Sequence, residues 1–198
     1  WAWSLVLTDQ GKYEEAITYA DKMVSIRPDL RSYSRVSYLR EIHGMVDESI
    51  VAMKMAVAAG YPGMEQTEWA RLTLGHLYER YGMQDSAMIQ YAIALAERPN
   101  YPFAIGAMSN CYAAMGQPMK ADSLNDVAMS LIPEVSFYVS RAQRELENGN
   151  TAKASSMTKE ILAMLADDEE AGHQMSLEQA RVQLSLLDNP DKALEYAM

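Results

Sequence analysis

Two kinds of chain-breaking residue recur at a single spacing: Gly82 and Gly116 lie 34 residues apart, and so do Pro99 and Pro133. When two residue types repeat with one period, one structural unit is being built more than once, and a unit of this length is a pair of helices. The stretch from Leu74 to Pro99 shows its make-up. Leu74, Gly75 and Tyr78 share one face of a predicted helix, Gly82 ends it, and Ala87, Tyr91, Ala94 and Leu95 share one face of a second helix that Pro99 closes. Gly75 and Ala87 let two antiparallel helices approach closely, Tyr78 and Tyr91 fill the space left between them, and Gly82 permits the turn.

The same unit can be followed along the chain in both directions. Residues 1–8, opening on Trp1, read as the tail of a first helix. Asp9 to Pro28 then read as turn, second helix and stop, with Ala16, Ala20 and Met23 on one face. In the next unit Gly44 marks the turn, and Ser49, Met53 and Ala56 take the close-packing positions. Gly44 and Gly82 are 38 residues apart, so about one helical turn is inserted near Pro62 to Gln66, as a longer loop or an extended helix start. Further on, Tyr112 and Ala121 stand where Tyr78 and Ala87 stood. Gly116 to Gly149 and Ala121 to Ala154 are each 33 residues, a one-residue deletion. The run Asp167 to Gly172 reads as a solvated loop. A sixth unit begins near Gln174 and turns at Asp188-Asn189-Pro190, with Pro190 fitted to the first turn of a helix.

No strand alternation competes, and about eleven or twelve helices account for nearly the whole chain. The expected fold is all-α: a right-handed α-α superhelix, or solenoid, of about six tandem helix-turn-helix repeats. They form a single domain over residues 1–198, with a partial repeat at 1–29, full repeats at 30–63, 68–101, 102–134 and 135–167, and a partial repeat at 174–198. Both ends look cut from a longer chain. Trp3, Leu5 and Leu7 at one end and Leu184, Leu187 and Leu194 at the other are candidates for contact with further repeats, or for self-association through the open ends.

Composition narrows the function. A net charge of -10 argues against nucleic acid as a partner, because phosphate binding needs clustered Lys and Arg. The charge is uneven: residues 1–101 carry 10 basic and 13 acidic side chains, net -3, and residues 102–198 carry 7 and 14, net -7. A face for an acidic partner therefore belongs in the first half. The longest uncharged stretches, such as Asn100 to Met119, are amphipathic, and no membrane insertion is expected.

Catalytic chemistry has few candidates. His43, His76 and His173 fall in three different repeats, and none has a second His, or a Cys, at helical metal-pair spacing. Cys111, the single cysteine, reads as a buried thiol. No phosphate-cradling glycine loop and no CxxC pair occurs. Asp167 to Glu170 lacks the spacing and central glycine of a calcium loop, and the methionines Met53, Met55, Met115 and Met119 read as core or turn fillers. No catalytic residue, cofactor or metal site is expected, and the chain reads as a non-enzyme.

The residue types from Glu68 to Val135, and more loosely nearly the whole chain, resemble the tetratricopeptide repeat family. Within it, Tyr33 to Tyr78, with Gly60-Tyr61-Pro62-Gly63 before Glu68-Trp69-Ala70, looks like a set of bacterial repeat proteins. The resemblance implies a non-catalytic scaffold that binds a peptide or a partner protein in a concave groove lined by the first helix of each repeat. Carried onto this chain, the groove comprises Arg31, Arg35, Tyr38, Trp69, His76, Arg80, Phe103 and Asn110. Ser34, Glu41, Leu72, Thr73, Gly106, Ala107, Val139, Ser140 and Gln143 lie beside them. Arginines for carboxylates and aromatics for apolar side chains suit an extended acidic and apolar peptide, although Trp69 could instead pack beneath the Pro62 loop. The subgroup that captures the C-terminal carboxylate of heat-shock chaperones is a poor match, since Ser34, Tyr38, Thr73, Phe103 and Ala107 occupy its Lys, Asn and Arg places. The alternative is that the array is the regulatory or substrate-docking arm of a larger multidomain enzyme. An RNA-reading helical repeat fits less well with the acidic charge.

Overall fold

The turns explain the period. Gly82 has φ +75°, its N–H donates to Glu79 O (3.0 Å), and the N–H of Met83 reaches back to Tyr78 O (2.8 Å). These two bonds cap the last carbonyls of a helix whose next residue must be left-handed, a conformation only glycine adopts without strain. The second bond recurs after Gly11, Gly44, Gly116 and Gly149, each at positive φ, in Lys12–Leu7, Met45–Arg40, Gln117–Tyr112 and Asn150–Glu145. The last turn lacks a glycine and uses Asp188 at φ +48°.

The computed structural model describes residues 2–198, and the expectation that Trp1 belongs to the first helix lies outside them. Twelve helices form among the described residues: α1 (Ala2–Asp9), α2 (Tyr13–Ile26), α3 (Leu30–Ile42), α4 (Val46–Ala58), α5 (Glu65–Arg80), α6 (Gln84–Glu97), α7 (Pro102–Ala114), α8 (Pro118–Leu131), α9 (Val135–Glu147), α10 (Thr151–Glu170), α11 (Ser176–Ser185) and α12 (Pro190–Ala197). The all-α class and the helix-turn-helix repeat architecture are as the period predicts. The chain divides into two compact units, one ending at Cys111 and one starting at Tyr112.

In the first unit, Ile50, Met53, Ala56, Leu74, Leu77, Tyr78, Ala87, Tyr91, Ala94 and Cys111 belong to one core, and Leu7, Ala16, Ile17, Ala20 and Leu39 form a smaller one. Gly75 is packed so closely that a Cβ there would stand 2.2 Å from Tyr91 Cε1. The insertion supplies both expected devices. The connection from α4 to α5, residues 59–64, is longer than that from α2 to α3, residues 27–29, and α5 runs 16 residues where α3 runs 13. Glu68, fully buried, fastens this start by accepting from Gly63 N (2.9 Å) and pairing with Arg71 (3.0 Å).

In the second unit Val135, Ala142, Ile161, Leu165 and Val182 form the core. Two expectations need correction. Asp167 to Glu170 are not a loop but the last turn of α10, which runs 20 residues. The extra residues lengthen the helix because Asp and Glu tolerate a helical backbone when solvated, and Glu169 accepts a hydrogen bond from Gln179 (2.6 Å). Leu7 is not left open at the end of the chain but lies in the core against Ala16 and Ile17, while Trp3 is 65% exposed. Leu184, Leu187 and Leu194 are exposed.

Candidate binding groove

A groove of about 1040 Å³ runs along α1, α3 and the start of α5 in the first unit. Its geometry begins at the N-terminus of α3. Asp29 accepts from Ser32 N (3.0 Å), Ser32 Oγ accepts from Asp29 N (2.9 Å), and the same hydroxyl donates to Arg27 O (2.7 Å). This capping box sets the direction of α3 and holds the Asp29 carboxyl below its usual range, chiefly through the Ser32 backbone bond. Arg31, Ser34, Arg35 and Tyr38, spaced three, four and seven residues along the helix, then fall on the groove face.

The far wall comes from the lengthened start of α5, which contributes Glu65, Gln66 and Trp69. Trp69 is 53% exposed, so its ring is open in the groove rather than covered by the Pro62 loop. Its edge meets Phe103 at right angles with centroids 5.8 Å apart, and Phe103 meets Tyr101 at 5.7 Å. Tyr101 is fixed in turn by Arg98 over its ring (5.1 Å) and by its hydroxyl on Glu65 (3.2 Å). Burial, then the Glu65 charge, pushes its pKa up. Trp69 is therefore an exposed aromatic on a rigid stack.

The cations behave differently from one another. Arg35 donates from Nε to Ser4 Oγ (3.2 Å) and from Nη2 to Ser4 O (3.1 Å) and Thr8 Oγ1 (2.8 Å), and its guanidinium lies 5.1 Å from the Tyr38 ring. It ties α3 to α1, and burial lowers its pKa. Arg80 makes a two-pronged pair with Glu41, at 2.6 and 2.9 Å. Arg31 is exposed and makes no ion pair among the described residues, which leaves it the groove's available cation.

Of the eight expected groove residues, Arg31, Arg35, Tyr38 and Trp69 line this cavity, and Phe103 supports Trp69 from behind. His76, Arg80 and Asn110 lie away from it. Leu72, Gly106 and Ala107, expected beside the groove, are buried. His76 Nδ1 instead lies 2.9 Å from Glu79 and 3.0 Å from the Tyr91 hydroxyl. That hydroxyl donates to Glu79, as does the Cys111 thiol at 3.0 Å. Burial raises the Glu79 pKa, but the bonds from His76, Tyr91 and Cys111 outweigh it and the carboxyl titrates below its usual range. Burial, with the Glu79 bond second, pushes the Cys111 thiol well up, so it stays protonated. This network joins α5, α6 and α7.

Sequence reasoning missed Leu5, Met23, Leu30, Glu65 and Gln66 on the walls. Only the last two left a signal, because the insertion before Glu68 could be read as an extended helix start. Among the described residues no group of three or more His, Cys, Asp or Glu could hold a metal ion, and no helix is long and apolar enough to cross a membrane.

No family model matches the sequence, and no curated protein matches it. Solved structures do. PilF of Pseudomonas aeruginosa superposes with a TM-score of 0.66 at 13% identity, over 98% of this chain and 86% of that one. A tetratricopeptide repeat protein from Parabacteroides merdae gives 0.64 at 15% identity, over 98% and 75%, and MamA gives 0.62 at 18% identity, over 86% and 97%. At such identities the likeness establishes architecture, and the architecture is plain: this chain has the tetratricopeptide repeat fold.

Proposed function

We propose that the chain is a non-catalytic scaffold that holds an extended segment of another protein in the groove along α1, α3 and α5. The observation that carries this reading is the exposure of Trp69 and Tyr38, 53% and 46%, in one groove beside the unpaired Arg31. Large aromatics left open to water on a rigid backing are unfavourable in isolation and are typical anchors in interfaces. The walls add Leu5, Met23 and Leu30. A segment with an aliphatic or aromatic side chain for Trp69 and Tyr38, and a carboxylate for Arg31, complements them.

The test is panning of a random linear peptide library against the whole chain and against an Arg31→Glu, Trp69→Ala double variant of matched circular dichroism. The expected result is enrichment of peptides that pair an acidic residue with an apolar one, and loss of at least tenfold in affinity in the variant. Peptides that bind both proteins equally would refute the assignment to this groove.

A further inference from the structure

The second unit contains a groove of its own, about 630 Å³, between the N-terminal half of α9 and the helix α11. Its chemistry is opposite to that of the first. Glu134, Asp168 and Glu178 line it, all half-buried, and none makes an ion pair among the described residues. Arg181 is the single cation on its walls, so three carboxylates stand against one guanidinium. The first groove carries Arg27, Arg31 and Arg35 against Asp29 and Glu65.

Three carboxylates against one guanidinium leave this wall net negative in a setting that screens less than bulk water, and an incoming cation balances that charge. The floor is apolar at Val139, and Leu184 is 60% exposed on the rim. Ser185 adds an independent observation: the residue lines the groove, and its hydroxyl is buried with no hydrogen-bond partner among the described residues. A buried polar atom without a partner is rare and costly, and an incoming peptide amide would satisfy it.

We propose that the groove between α9 and α11 is a second docking site, selective for a Lys- or Arg-bearing segment of another protein with an aliphatic side chain beside the cation. The inference does not rest on the first groove, since every residue invoked belongs to the second unit.

The experiment uses the whole chain and two fluorescein-labelled decapeptides with the same Leu/Ser frame, one carrying three Lys and the other three Glu in their place. The chain's charge of -10 attracts any cationic peptide weakly, so the decisive comparison is with a Glu134→Gln, Asp168→Asn, Glu178→Gln variant. By fluorescence anisotropy the Lys peptide should bind the parent at least about tenfold more tightly than it binds this variant. Arg31→Glu, Trp69→Ala should leave its affinity unchanged. Ser185→Ala should weaken binding without lowering the thermal midpoint, because the free protein loses only an unpaired hydroxyl. Equal binding of the Lys peptide by the parent and the triple variant overturns the proposal, as does a preference for the Glu peptide at this groove. Loss of Lys-peptide binding in the Arg31, Trp69 variant would also overturn it. Failure of acidic peptides to bind the first groove would leave it standing.

Discussion

Gly75→Ala tests the close approach of α5 and α6. A Cβ at this position would stand 2.2 Å from Tyr91 Cε1, 2.6 Å from Cζ and 2.9 Å from Cδ1. Unbonded carbons rest about 3.5–4 Å apart, so either α5 and α6 separate or the ring leaves its place. Tyr91 is fully buried and cannot swing into solvent. Forcing a methyl into a filled core costs about 1–3 kcal/mol, and overlap with a rigid ring belongs at the upper end. Displacing the ring also breaks its hydroxyl's bond to the Glu79 carboxylate, about 1.5 kcal/mol for a charged acceptor. The better helix propensity of alanine offsets about 1 kcal/mol. The net loss is therefore about 3.5 kcal/mol.

Unfolding in urea, followed by far-ultraviolet circular dichroism together with native-state hydrogen exchange in α5 and α6, measures this loss where it occurs. Repeat arrays open locally, and a global midpoint alone would dilute the effect. Gly75→Ala, Tyr91→Leu should recover part of the stability because the ring is gone, whereas adding Tyr91→Phe should not, because the ring stays. A Gly75→Ala protein as stable as the parent, or more so, would refute the reasoning, since helix propensity alone would then account for the result.

Glu79 predicts a pH dependence. Its folded pKa lies below the ordinary 4.5 despite burial, so its contribution is complete above that pH and is lost as pH falls through the folded value. Glu79→Gln should be less stable at neutral pH by about 1–3 kcal/mol and should flatten the acid limb; parallel losses in parent and variant between about pH 6 and about pH 3 would exclude the mechanism. Arg80→Ala should cost no more than about 1 kcal/mol, as expected of a pair in which Arg80 is half exposed, and should leave peptide affinity in the first groove unchanged. An affinity loss comparable to that of Arg31→Glu would return Arg80 to the site.

What the sequence made legible was whatever repeats locally. Turn glycines and the small residues Ala87, Ala94 and Ala121 recur at fixed offsets because each is dictated by its own helix pair, and all are where the period puts them. The insertion near Pro62 was visible as a broken interval. Partnerships across repeats were not visible. Arg80 meets Glu41 from 39 residues away, Arg35 meets Ser4 from 31, and Cys111 meets Glu79 from 32. No local pattern encodes these pairs, since each depends on how one helix pair is set against the next. The acidic end of α10 was misread for a related reason: four consecutive acidic residues resemble a loop in isolation, but the helix continues beyond the anchoring Leu165.

Those partnerships decide which side chains can recognise a ligand. Counted from the sequence, the first groove has Arg31, Arg35, His76 and Arg80 for an acidic segment. In the structure Arg80 already holds a carboxylate with two bonds, Arg35 is occupied by α1, and His76 faces Glu79 and Tyr91. A ligand carboxylate approaching Arg80 would exchange one ion pair for another with little net gain. At Arg31 it displaces only water. On the proposed reading, recognition turns on one carboxylate at the right distance from Trp69 and Tyr38 rather than on an acidic run. Added negative charge elsewhere in the segment meets a protein that is itself strongly acidic. On that reading, spacing between the carboxylate and the apolar anchor, not total charge, sets the affinity of this groove.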